Sequence, residues 1–272
     1  MKYHIKDSRY PEAGIKQITE TEYNLIKDFD SSFKIFEGVF YAYLNYLMAR
    51  THYDDFMVRI KTMEPLTLEA VQRGSVYPIT SLVIFANTFI DNSKKFNKHI
   101  NSKGLENYLY QKMDIDCITL LRIVRNYSIH SSIPVKGSTG TYNVLKGTRN
   151  YEFYIKKRDL SKDAKNKDRL TLSRFKSDTI SLEPLLKEAE SVLEGLNDII
   201  LEEYVSWIPL DVKRILNEHV RYYKANDGRE YFPSTFTKSR LFNNNPSYGY
   251  EAIDSIHLDS ETLKVLVSRI NY

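Results

Sequence analysis

The sequence predicts a mainly α-helical fold: an up-down bundle of four long helices, with a small β-hairpin insertion and a helical C-terminal appendage. Three observations carry this reading. Apolar residues recur at helical spacing over several long stretches, Gly, Pro and capping residues fall between those stretches, and strand-like alternation is confined to one short region. At 272 residues, 42% hydrophobic and 27% charged, the chain has an ordinary globular composition and enough length for a sizeable core.

The elements follow in order. Residues 1–17 read as irregular. From Thr19 to Arg50, the residues Ile26, Phe29, Phe33, Phe36, Phe40, Tyr43 and Leu47 alternate steps of three and four, which is one stripe of a long packed helix. A short helix is expected over Leu66 to Arg73, ended by Gly74. Pro78 suits the first turn of a second long helix that runs to Ile100 and closes near Gly104. Leu105 to Met113 reads as one or two further helical turns. Asp114 or Asp116 can cap the third long helix, which runs to Ser131 and stops before Pro134. The strings YEFYIKK and RLTLSRF alternate and suggest a hairpin within the insertion, residues 135–180. Periodicity returns from Leu182 to Trp207 through Leu185, Leu186, Ala189, Val192, Leu193, Leu196, Ile199 and Ile200. These residues delimit a bundle over 1–207. Residues 208–272 form the appendage, with helices over Asp211 to Ala225 and Ser260 to Ile270 around a Tyr-, Asn- and Pro-rich segment.

Charge and cysteine content narrow the function classes. Net charge is only +4, but residues 155–176 hold nine basic and three acidic residues, a local +6 that can attract a phosphate backbone or simply form a solvated loop. The lone Cys117 leaves no intramolecular disulfide, which fits a reducing cytoplasm, and it falls on the core side of its helix. The opening MKYHIKDSRY lacks the apolar centre of a signal peptide, and the greasiest run, Gly38 to Ala49, is too short to span a bilayer. A cytoplasmic protein without membrane contact is expected. The histidines show no H-x-x-x-H or H-E-x-x-H spacing, and no phosphate-loop or dinucleotide fingerprint occurs, so no metal and no cofactor is expected.

The stretch that carries chemistry is LRIVRNYSIH, Leu121 to His130, at the end of the third long helix. Arg125 is a fixed cation that can fork onto a phosphate, and His130 is the side chain that most readily moves a proton near neutral pH. Metal-free RNA cleavage needs that pair: a clamp on the phosphate and an acid or base for the ribose hydroxyl. Spacing alone does not choose the site, because Arg-x4-His also occurs at Arg214 and His219. There Ile215 follows the Arg, where the first copy has the polar Asn126. At about 100° per residue, Cys117, Leu120, Leu121, Val124 and Tyr127 make the core stripe of this helix, while Arg122, Arg125, Asn126 and His130 share the opposite half. Asn126 and His130 are i,i+4 neighbours, whereas Arg125 lies about 140° from His130 and reaches round on its long stem. Ile118 and Ile129 stand among these polar groups and suggest a face covered by a second surface.

The R-N-x3-H string in this helical setting resembles the HEPN superfamily (higher eukaryotes and prokaryotes nucleotide-binding), whose motif is an Arg and a His separated by four to six residues, often with Asn, Asp or His after the Arg. The resemblance covers residues 19–206. It implies a HEPN-like bundle and a metal-independent endoribonuclease in which His130 acts as general acid or base and Arg125 stabilises the crowded phosphate. Asn126 would hydrogen-bond the phosphate or hold His130, and the products would be a 2′,3′-cyclic phosphate and a 5′-hydroxyl. Arg122 and the basic residues Lys156, Lys157 and Arg158 are the expected RNA contacts. The resemblance also implies a homodimer through the motif helix, which would bring two histidines into one cleft. Prokaryotic relatives are commonly toxins or antiviral effectors, with an antitoxin or regulatory protein as partner. In the branch paired with nucleotidyltransferase antitoxins a modifiable Tyr stands two residues after the His, and here Ser132 stands there. The competing readings are a non-catalytic module binding RNA or a nucleotide in the same cleft, and a purely structural dimer.

Overall fold

The computed structural model describes residues 1–6, 16–62, 67–130, 137–143, 148–162, 164–220, 235–241, 250–258 and 261–270. In chain order these form β1 (Lys2–Lys6), β2 (Lys16–Ile18), α1 (Glu20–Thr62), α2 (Leu68–Ile100), α3 (Lys103–Lys112), α4 (Asp116–His130), β3 (Gly137–Asn143), β4 (Thr148–Lys156), α5 (Lys157–Lys162), α6 (Asn166–Arg174), β5 (Thr179–Ser181), α7 (Leu182–Trp207), α8 (Leu210–Val220), β6 (Thr235–Leu241), β7 (Tyr250–His257) and α9 (Glu261–Ile270). The fold is mainly helical, with small antiparallel sheets. The chain divides into two compact units, one of Met1–Gly38 with Leu201–Tyr272 and one of Val39–Ile200.

The second unit holds the motif. Its helices are α2 to α6, the C-terminal part of α1 and most of α7. Helix α1 begins with a capping box: Thr19 Oγ1 accepts from the Glu22 amide at 3.1 Å, and Glu22 Oε2 accepts from the Thr19 amide at 2.8 Å. The helix continues twelve residues beyond Arg50, because Tyr53, Met57 and Ile60 extend its buried side. Its buried positions drift from the expected stripe, with Val39, Tyr43, Tyr46, Ala49 and Tyr53 in the core while Phe40 and Leu47 are half-buried. A steady seven-residue pattern slips by about 20° per heptad on a straight helix.

The expected break at Gly74 and Pro78 does not occur; α2 runs straight through both. Pro78 withholds a donor from the helix interior, which alone costs about 3 kcal/mol. Burial offsets that cost, since Pro78 and the neighbouring Ser75 and Ile79 are all buried. Gly74 suits a close approach: a Cβ there would lie 3.2 Å from the Phe56 ring, which would have to shift slightly. Asn101, in the left-handed conformation at φ 52°, closes α2 in place of the expected Gly104, and Ser102 at once caps α3.

Contacts set the directions of the helices. Tyr43 meets Phe89 at 5.0 Å between ring centroids, and Phe56 sits at Gly74, so α2 runs against α1. Arg50 pairs with Glu190 at 3.1 Å, and burial followed by the Glu183 carboxylate pushes the Tyr53 hydroxyl up to about 12, so α7 also runs against α1. Between α2 and α4 the contacts climb together, Asn87 to Leu121 and Asp91 to Arg125. The long helices α2 and α4 therefore run in the same sense, with α3 as the return between them, in place of simple alternation.

Part of the insertion departs from expectation. YEFYIKK lies almost wholly within β4, which pairs antiparallel with β3 and with β5. RLTLSRF, expected as the other strand, makes up the second half of helix α6 and its C-cap. Its alternation is overridden by packing: Asp168, Thr171 and Leu172 are buried at helical spacing while Leu170 is 61% exposed.

In the other unit, residues expected to be irregular form β1 and β2, and the expected helical appendage contains β6 and β7 besides α8 and α9. The four strands make one antiparallel sheet in the order β2-β1-β6-β7, with Ile5 paired to Phe236 and Phe236 to Ile256. Strand pairing between residues more than two hundred apart leaves no local trace in the sequence. The expected helix ends at Ser131, residues 221–225 and Ser260 lie outside the described residues. No helix among the described residues is long and apolar enough to cross a membrane.

Candidate functional site

Helix α4 buries the expected stripe: Cys117, Leu120, Leu121, Val124 and Tyr127 are all in the core. Burial pushes the Cys117 thiol up to about 12, as fits a structural side chain, not a nucleophile. The buried arc is wider than one stripe, because α4 packs against α2 on one side and against α5 and α6 on another. Ile118 is consequently 3% exposed, which corrects the expectation that it stands on an open face. Ile118 therefore lends no support to self-association through this helix. The side chain of Ile129, the other apolar residue expected on that face, lies outside the described residues.

Arg125 and Asn126 sit next to each other on the wetter side of α4. The Asn126 carbonyl oxygen faces Nε and Nη2 of Arg125, 3.4 Å from each, and Nη1 of Arg125 donates to Asp91 Oδ2 at 2.9 Å. The Arg125 side chain is 28% exposed and that of Asp91 51%. One turn earlier on both helices the buried Asn87 donates to the Leu121 carbonyl at 3.2 Å and to Val83 of its own helix at 2.8 Å. Two rungs one turn apart thus lock α2 to α4 beside the motif. His130 is the last residue of α4, and its side chain lies outside the described residues. Proximity of Arg125 and Asn126 therefore rests on contacts, and that of His130 on its place in the same helix.

The other expected RNA contacts have internal partners. Arg122 Nη2 donates to Asp168 Oδ1 of α6 at 3.0 Å, and Asp168 is nearly buried. Lys157 Nζ donates to the Phe175 carbonyl at 2.8 Å. Lys156 is half-buried at the end of β4, and Arg158 is exposed at the start of α5. Two more cations of the basic run face acids near the start of α4, Lys167 on Asp114 at 2.9 Å and Arg174 on Asp116 at 2.7 Å. The Lys167 hydrogen bond holds the Asp114 carboxyl below its usual range. Two of the nine cations of the run, Lys167 and Arg174, are thus answered by carboxylates outside it, while its own Asp168 answers Arg122.

At the second Arg-x4-His copy, Ile215, Val212 and Leu216 are buried in α8, so the residue after Arg214 belongs to a core. Among the described residues, clefts open around the β3–β4–β5 sheet, and a pair of them stand out. The larger, about 600 Å³, is lined by Lys61, Thr139, Asn150, Glu152, Glu183 and Lys187 among others. The second, about 480 Å³, lies beside Asp116, Cys117 and Glu188. Neither is lined by Arg125 or Asn126. No group of three or more His, Cys, Asp or Glu side chains able to hold a metal occurs among the described residues.

Sequence reasoning missed Asp91, Asn87 and Asp168. Each lies 34 or more residues from its partner on another helix, and only the i,i+4 relation of Asn87 and Asp91 on one helix hints at a shared role. No protein-family model matches the chain, and neither does any curated protein or solved structure.

Proposed function

We propose that the protein is a HEPN-like, metal-independent endoribonuclease that cleaves RNA by attack of its own 2′-hydroxyl, with Arg125, Asn126 and His130 as its site. The observation that carries the reading is the Arg125–Asn126 contact on the wetter side of α4, with His130 one turn beyond Asn126 on the same helix. Arg125 would hold the phosphate and oppose the charge that grows on it, and His130 would move the proton. Catalysis in both directions of proton transfer needs an acid and a base, and a two-fold dimer would supply a second His130. A toxin or antiviral role with a regulatory partner stands as the family's implication.

A second reading, a non-catalytic RNA-binding or nucleotide-binding module, draws on the internal pairing of Arg122 and Arg125. The two separate cleanly when purified protein is incubated with mixed RNA in EDTA. Cleavage by wild type, lost in His130→Ala and Arg125→Ala by a factor of about 10² to 10⁴ and kept in His219→Ala, supports the enzyme. RNA bound but not cut by any of these proteins would favour the binding module. A fully active monomer in sedimentation would refute a site shared between two copies.

A further inference from the structure

We infer that Asp91 is a positioning residue of the same site, one that aims the guanidinium of Arg125; the inference rests on the ribonuclease reading. Arg125 is held on two sides, by Asp91 at Nη1 and by the Asn126 carbonyl facing Nε and Nη2. A guanidinium offers five N–H donors in a rigid planar fork. Fixing Nη1 from one side and the Nε–Nη2 edge from the other sets the plane of that fork, and when Asp91 takes the Nη1 hydrogen that lies away from Nη2, one hydrogen on each Nη is left along the third edge. That edge is a matched pair of donors for two oxygens of a phosphate diester. Asp91 is suited to this work because its own backbone is fixed: it sits one turn from Asn87, which is 4% exposed and hydrogen-bonded to α4. A donor held in advance by a rigid neighbour loses less freedom when substrate arrives, and small misplacement of such a group costs large factors in rate.

A carboxylate beside a phosphate also repels it, so the opposite role, a competing anion that RNA must displace, predicts the opposite result. The test compares wild type, Asp91→Ala and Asp91→Asn, since the Asn amide oxygen can still accept from Nη1. Cleavage of labelled single-stranded RNA in EDTA gives kcat and KM, fluorescence polarisation gives binding, and ¹⁵N relaxation of the Arg125 Nε–H reports the order of the side chain without any RNA. Positioning predicts that Asp91→Ala loses roughly 10- to 100-fold, mainly in kcat, with a disordered Arg125, and that Asp91→Asn restores most of both. Tighter RNA binding with undiminished cleavage in Asp91→Ala would overturn the inference, as would an Arg125 equally mobile in all three proteins. Wild type that neither binds nor cuts RNA, while its Arg125 is ordered only when residue 91 can accept, would refute the ribonuclease reading and leave the hold of Asp91 on Arg125 standing.

Discussion

Arg122 is expected from sequence to touch RNA, yet its guanidinium is seated on Asp168, and the two roles can be parted by stability. We predict that Arg122→Met destabilises the protein even without RNA. Asp168 keeps only 12% of its side-chain exposure, and its Oδ1 accepts from Arg122 at 3.0 Å, so removing the cation strands a nearly buried carboxylate. Breaking a fully buried pair costs about 3 to 5 kcal/mol. Here Arg122 itself remains 35% exposed, so water recovers part of the loss, and about 1 to 3 kcal/mol is expected. Urea unfolding should show that difference, and thermal unfolding should show roughly 2 to 4 °C for each kcal/mol. Arg122→Met combined with Asp168→Leu removes both charges, and the double variant should regain at least half of the loss. A single variant within about 0.5 kcal/mol of wild type would refute the reasoning, as would a double variant as unstable as the two single losses added. RNA binding by the folded Arg122→Met protein then reports on contact alone.

Gly38 and Gly195 both sit inside helices, but a Cβ at Gly38 meets nothing within 4 Å while one at Gly195 would lie 2.5 Å from the Tyr108 hydroxyl. Gly38→Ala should therefore stabilise by about 0.5 to 1 kcal/mol in urea unfolding. Gly195→Ala should destabilise by about 1 kcal/mol, because the Tyr108 bond to the Val192 carbonyl at 2.8 Å must give way; equal effects would show that the spacing at Gly195 does not matter. Cys117 has its folded pKa raised, so its contribution is complete below the unfolded value near 9 and is lost as pH rises towards about 12. Stability should accordingly fall above pH 9, by at most about 1.4 kcal/mol per pH unit from this group, and Cys117→Ala should flatten that decline. If Lys156 and Arg158 touch an RNA backbone, replacing both with Ser should shift the slope of log affinity against log salt by about 0.7 for each phosphate no longer neutralised. Adding Lys157→Ser should lower stability more than it changes that slope, since Lys157 already serves the Phe175 carbonyl.

The helices were legible because their information is local. The core stripe of α4 and the long run of α7 follow from side chains three and four residues apart, and the structure buries all of them but the half-buried Ile199. What failed has a common physical cause, that distant packing outvotes local signals. Pro78 reads as a helix start until its burial in the packed interior is known, and RLTLSRF reads as a strand until Asp168 and Leu172 find α4 and the core. Strand β1 shows the extreme case. Its partner β6 lies more than 230 residues away, as His4 with Thr237 shows, and five residues of alternating character near a terminus carry no sign of that pairing.

The candidate site divides along the same line. Arg125, Asn126 and His130 are close together on one helix, so the sequence can propose them together. Their electrical surroundings are scattered along the chain. Asp91 comes from α2 and Asp168 from α6, while Asp114 and Asp116 of the α4 approach answer cations of α6. A run of nine basic residues therefore overstates the field that an RNA would meet, because the formal count includes Lys167 and Arg174, which the fold pairs with acids outside the run at 2.9 and 2.7 Å. Beyond about 10 Å at ordinary salt such pairs act as dipoles and steer little. Any attraction for a polyanion in this region must come from cations such as Arg158 that reach solvent, and from Arg125 to the extent that its fork keeps one edge open. For that reason the salt slope of Arg158→Ser and the cleavage rate of Asp91→Ala report on separate things, long-range attraction in the first and local aim in the second.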